Sequence, residues 1–99
     1  MAMTPEKRVK QAVVKQLKEL GAYYFYPVTG GYGASGVPDI VGCYYGRFFA
    51  FECKAGNNKP TALQIREIES IRRNQGVAVV VDEMNWDMVR DLVKKLKMP

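Results

Sequence analysis

Asp39, Glu52 and Lys54 are the residues whose types and spacing best suit chemistry in this sequence of 99 residues. Asp39 follows Pro38 and opens a largely apolar run to Tyr45, while Glu52 and Lys54 close a second run that begins at Arg47. Alternate residues of a strand share a face, so Glu52 and Lys54 point the same way. A turn centred on Tyr45-Gly46 makes Tyr44 face Arg47. The same register sets Asp39 opposite Glu52, with Cβ atoms about 4.5–5.5 Å apart. A three-residue turn would slide the register by one, and a local bulge could restore the proximity. Two facing carboxylates repel and destabilise an ordinary sheet. A divalent cation removes that conflict. Hard oxygen ligands at a few fixed positions suit Mg²⁺, which keeps several waters and also binds phosphates. Such an ion acidifies bound water and offsets charge on a transferring phosphoryl group. A neighbouring lysine can position or deprotonate the attacking water. The plainer alternative is a strand start at Asp39, with Glu52 and Lys54 on a solvated edge.

Composition narrows the chemistry further. The sequence has no histidine and two cysteines. That removes histidine-paired nucleophiles, zinc sites of Cys/His spacing and a disulfide framework. The formal net charge is +5, which favours a polyanionic partner such as nucleic acid. The first twenty residues carry charges throughout and lack the apolar core of a signal peptide, and no run approaches the roughly 20 apolar residues of a membrane span. A cytoplasmic, reduced protein is expected, within the host cell if the source is viral, with no membrane association.

The elements that must position these residues follow from capping and periodicity. Thr4-Pro5 reads as an N-cap and first helical position, and Val9, Val13, Leu17 and Leu20 recur at helical spacing until Gly21. Ala22 to Val28 reads as an aromatic strand, Thr29 to Gly36 as a glycine-rich loop, and Asp39–Tyr45 with Arg47–Lys54 as a hairpin. A second helix runs from Thr61 to Gln75, closed by Gly76. Val77 to Val81 is a short strand of the buried kind, and Asn85 to Lys97 a third helix with Trp86, Val89, Val93 and Leu96 on one side. The order is αβββαβα: one α/β domain over 1–99, with a mixed sheet covered by helices. The crossover helix allows the last strand to join in parallel.

The runs Ser35-Gly36-Val37-Pro38-Asp39 and Phe51-Glu52-Cys53-Lys54 resemble the PD-(D/E)xK nuclease motif. The details are similar to the VRR-NUC family, in particular its standalone viral (phage) members. The likeness extends to Glu6 in the first helix and to Thr61-x-x-Gln64 at the start of the second. It implies a restriction-endonuclease-like core and Mg²⁺- or Mn²⁺-dependent hydrolysis of phosphodiester bonds. Carried over, Asp39 and Glu52 bind metal, the carbonyl of Cys53 adds a ligand, Lys54 acts on the nucleophile and Gln64 completes the site. Glu6 shares the inward stripe of Val9 and Val13, so it can reach a metal or can simply favour the helix N-terminus. Gln64 has two readings as well: a site residue, or the partner of Thr61 in a capping box.

Gly31-Tyr32-Gly33-Ala34-Ser35-Gly36 also satisfies G-x-G-x-x-G. A dinucleotide fingerprint must open a helix, however, whereas Val-Pro-Asp-Ile-Val reads as a strand. No nucleotide cofactor is expected. The loop fits better as a contact to a phosphate backbone through Gly33 and Ser35. Lys10, Lys15 and Lys18 on the first helix, and Arg66, Arg72 and Arg73 on the second, can grip phosphates or merely be solvated. Tyr23 to Tyr26 can stack on bases, although half of them face the core by default. Lys94, Lys95 and Lys97 suit the last turn of a helix. Cys43 and Cys53 fall on opposite faces, which argues against a disulfide. The reading is a metal-dependent, structure-specific DNA endonuclease. So small a domain suggests a homodimer, and paired sites suit branched DNA such as a four-way junction. The alternative is a non-catalytic nucleic-acid-binding module.

Overall fold

The computed structural model describes residues 3–28 and 35–97. Helix α1 spans Pro5–Leu20, with Thr4 Oγ1 accepting from the Lys7 amide and Gly21 ending it in the left-handed conformation. The strands are β1 (Tyr23–Phe25), β2 (Ile40–Tyr44), β3 (Arg47–Cys53) and β4 (Val77–Val81); helix α2 is Ala62–Arg73 and α3 is Val89–Lys94. The sheet order is β1-β2-β3-β4. The first three strands run antiparallel, and β4 joins β3 in parallel after the α2 crossover. The expected order αβββαβα is the one observed.

Three elements differ at their ends. The aromatic strand pairs only over Tyr23–Phe25, because Pro27 has no amide to continue a ladder. The third helix divides into a 3₁₀ turn at Trp86–Met88, α3, and a second 3₁₀ turn at Lys95–Lys97. Its entry is tight because the Asn85 side chain is already engaged, accepting from the Asp82 amide and donating to the Val80 carbonyl. It therefore caps nothing. At the end of α2, Gln75 rather than Gly76 takes the positive φ (70°), and the Gly76 amide bonds Ile71 O. Gly76 serves a close approach instead: a Cβ there would lie 2.7 Å from Ile71 Cγ2.

The hairpin register is the expected one, from Ile40 opposite Phe51 to Tyr44 opposite Arg47. The turn residues Tyr45 (φ 51°) and Gly46 (φ 83°) both have positive φ, as a two-residue primed turn requires. The pleat then sends Phe49, Phe51 and Cys53 to one face, against α1 and α3. On the opposite face Val41, Ala50 and Ala78 pack against Ile68 of α2. Glu52 lies on that second face, two residues from Ala50.

α2 covers β3 and β4 but not β1. Across the uncovered part, Tyr23, Cys43 and Phe48 form one cross-strand row, with Phe25 beside Tyr23, and all four are exposed. Two carbonyls on the outer edge of β4 are taken by side chains. Arg72 donates through Nε and Nη2 to the Ala78 carbonyl (3.0 and 2.7 Å), and Asn85 donates to the Val80 carbonyl. Among the described residues, no helix is long and apolar enough to cross a membrane.

Candidate active site

The site forms where the hairpin ends. Asp39 lies one residue before β2, and its Oδ2 accepts from the Cys53 amide at 2.9 Å. That bond substitutes for the next rung of the ladder and pins the carboxylate against the end of β3. Glu52 comes just before Cys53 and is only 2% exposed. Its Oε2 accepts from Gln64 Nε2 at 2.9 Å and lies 3.3 Å from Lys54 Nζ. Its Oε1 is buried without any hydrogen-bond partner. Burial, reinforced by the negative charge of Asp39, pushes the Glu52 carboxyl up to about 7, against the opposing pull of Lys54. The Cys53 thiol is pushed up to about 12 by burial and by the same two carboxylates, so it stays protonated at neutral pH. The Cys53 side chain lies in the apolar core on the other face of the sheet, so toward the site this residue presents its backbone.

Gln64 does two things at once. Its Oε1 accepts from the Thr61 amide at 2.8 Å, and its own amide donates to Thr61 Oγ1, which completes a capping box. The same side chain's Nε2 holds Glu52. The two readings of Gln64 were not exclusive, because a primary amide has separate acceptor and donor ends. The helix cap thereby fixes which end of the amide meets the carboxylate.

Gly36 brings the segment from Ser35 to Pro38 into place. It has φ +82°, and a Cβ there would lie 2.5–2.8 Å from the backbone of Leu63 and Gln64. Only glycine lets the backbone at this point rest directly on the first turn of α2. The result is a cleft of about 490 Å³ whose walls include Lys10, Ser35, Asp39 and Gln64, with Tyr26 and Pro27 at its rim. Neither the glycine contact nor the anchoring Cys53 amide was legible from periodicity. The run Ser35-Gly36-x-Pro38 was the one signal of a tight approach.

Of the residues singled out from the sequence, Asp39, Glu52, Cys53, Lys54 and Gln64 meet at the ends of β2 and β3 and the start of α2. Lys10 and Ser35 face the cleft beside them. Glu6 is exposed on the first turn of α1 and lines a separate depression with Ala55 and Glu83. Its charge still reaches Glu52 and Cys53, raising both. Arg66 is exposed on α2 and is not part of the cleft wall. Gly33, with the rest of the G-x-G-x-x-G run up to Ala34, lies outside the described residues. Among the described residues, no three His, Cys, Asp or Glu side chains gather into a group fit for a metal. A cation held here draws on two carboxylates, completed by backbone and water oxygens. The unpartnered buried Oε1 of Glu52 fits that role, since it is an anionic oxygen left without a donor.

No family model and no curated protein matches this sequence. Among solved structures, one described as a VRR_NUC domain matches with a TM-score of 0.72 and 26% identity, over 93% of this chain and 97% of that chain. The resemblance read from the S-G-x-P-D and E-x-K runs is thus matched by a structure of that description, and the chain has the VRR-NUC nuclease fold.

Proposed function

We propose that this chain, built on the VRR-NUC fold, is a divalent-metal-dependent endonuclease acting on DNA. One observation carries the reading: Glu52, a buried carboxylate with one oxygen held by Gln64 and Lys54 and the other unpartnered, beside a second carboxylate. Such a group is costly to bury. Metal-dependent phosphodiester hydrolysis explains why it is there.

Asp39, Glu52 and the Cys53 carbonyl would hold Mg²⁺ or Mn²⁺. When bound, that ion acidifies its water and offsets charge building on the scissile phosphate. Gln64 keeps the Glu52 carboxylate in one orientation through Oε2, which reserves Oε1 for the cation. The amide of Cys53 does the same for Asp39. Lys54 orients the attacking water from the Glu52 side and neutralises phosphate charge. Lys10 and Ser35, in the cleft wall, receive the phosphates flanking the cut, and Gly33 and Arg66 extend that contact. Glu6 supplies a further carboxylate at the mouth or stays a helix-dipole residue; its exposure favours the second role.

The substrate reading is branched DNA, cut by a homodimer as in a standalone viral nuclease. A lone domain of this size offers little surface for recognising a junction, and two-fold pairing supplies two sites for two strands. The exposed row of Tyr23, Cys43 and Phe48 is apolar surface available to such a contact.

The test is cleavage of labelled duplex, single-stranded, flapped and four-way-junction DNA, in Mg²⁺, Mn²⁺ or EDTA. The expected result is metal-dependent product, greatest on the junction, with Lys54→Ala slowed about 10²–10⁴-fold. Absence of product from every substrate, with DNA binding intact, would make the chain a nucleic-acid-binding module instead.

A further inference from the structure

We propose that the outer face of α1 is a track for the phosphates of the substrate arm lying beyond the cut. This deepens the nuclease reading and rests on it for the identity of the polyanion. Arg8, Gln11, Lys15 and Lys18 recur at helical spacing on the side of α1 turned away from its buried stripe of Val9, Val13 and Leu17. They line a groove of about 650 Å³, walled by Tyr26 and Trp86, and no carboxylate lines it.

The charge there is free. Among the described residues, the only ion pairs are Lys54 with Glu52 and Arg90 with Glu19. The second of these occupies the acid nearest the end of the row. Arg8, Lys15 and Lys18 therefore face solvent with nothing of opposite sign bound to them. On α2, Arg72 is spent on the Ala78 carbonyl, and the exposed Arg66 and Arg73 share their helix with Glu67 and Glu69, whereas no carboxylate lines the α1 groove.

Continuity with the cleft gives the row a direction. Tyr26 lines both the groove and the Asp39–Gln64 cleft, and Lys10 enters the cleft from the same helix. From Arg8 to Lys18 the helix rises about 15 Å. Along a duplex axis that length passes roughly four phosphates of one strand. A nucleic-acid arm leaving the cleft past Tyr26 thus meets three cations in succession. Such contacts hold the backbone and carry no sequence information.

The experiment compares Lys15→Gln/Lys18→Gln with Lys94→Gln/Lys95→Gln, which removes the same charge from the end of α3, outside the lining of the groove. Affinity for a labelled DNA duplex three helical turns long is measured in EDTA across a salt series. Each duplex phosphate contact contributes about 0.9 to the slope of log affinity against log salt. The α1 variant is expected to lower that slope by about 1.8 and the α3 variant to leave it unchanged. In Mg²⁺, the α1 variant should raise KM and preserve kcat. An unchanged slope in the α1 variant, or an equal fall in both variants, overturns the proposal. Failure of the nuclease reading shows separately, as a wild-type chain that binds the duplex with the full slope and cuts nothing.

Discussion

The two faces of the sheet are built to different standards. On the α1/α3 side, Leu17, Ile40, Phe49 and Phe51 are wholly buried and form a thick apolar core. On the α2 side the buried apolar layer is only Val41, Ala50, Ile68 and Ala78, with Ile71 and Val80 half-buried against it, and a carboxylate is buried next to them. The first face supplies the folding energy. The second is thin enough for Gln64 and Lys54 to reach Glu52 across it. The difference teaches that the site stands on the side with stability to lose only because the other side has it to spare.

The sharpest way to break this comparison is Phe51→Ala. It should cost about 3–5 kcal/mol in denaturant unfolding, since it empties the thick face. A loss near that of an ordinary surface residue would mean that the core lies elsewhere.

Next comes the pH profile of the metal-free protein. The Glu52 carboxyl titrates near 7 when folded, against 4.5 for an unperturbed carboxyl. The native state therefore holds this proton more tightly than the unfolded chain does. The stability it confers is fully present below about 4.5 and is lost as pH rises through 7, by up to about 3 kcal/mol. Glu52→Gln should flatten that decline and make the protein more stable than wild type at pH 8. Mg²⁺ or Mn²⁺ should restore wild-type stability at pH 8 and do little for the variant. Thermal melts at several pH values decide it, and a flat wild-type profile would remove the strain assigned to Glu52.

Ile68→Ala should cost about 2 kcal/mol, at the low end for its type, because so little packs around it. A cost matching Phe51→Ala would erase the distinction between the faces. The smallest effect is that of Thr61→Ala. Losing the hydroxyl cap should cost about 1 kcal/mol by denaturation, while the Thr61 amide goes on holding Gln64 Oε1.

Much of this was legible in the residues. The hairpin register followed from Tyr45-Gly46, because a two-residue turn leaves no freedom to slide, and that register brought Asp39 level with Glu52 at the end of the hairpin. Capping signals placed α1 and α2 nearly to the residue. Other features were not legible. The bond from Cys53 to Asp39 joins a backbone amide to a side chain across two strands, and no periodicity encodes it. The double use of Gln64 depends on how far α2 stands from the sheet. The broken third helix reflects an asparagine diverted into the loop before it, which looks from sequence like an ordinary N-cap. The position of Glu6 was not legible either: it falls on the helical stripe of Val9 and Val13, but the first turn of α1 is exposed.

The capped border of β4 bears on how copies of this chain can join. Unsatisfied strand edges invite further strands, and a sheet open on both sides can recruit neighbours without end. Here Arg72 and Asn85 occupy the carbonyls of Ala78 and Val80, so the border of β4 offers an incoming strand fewer acceptors. The guanidinium on Ala78 thus acts as a guard on that border, holding an acceptor that an incoming strand would need.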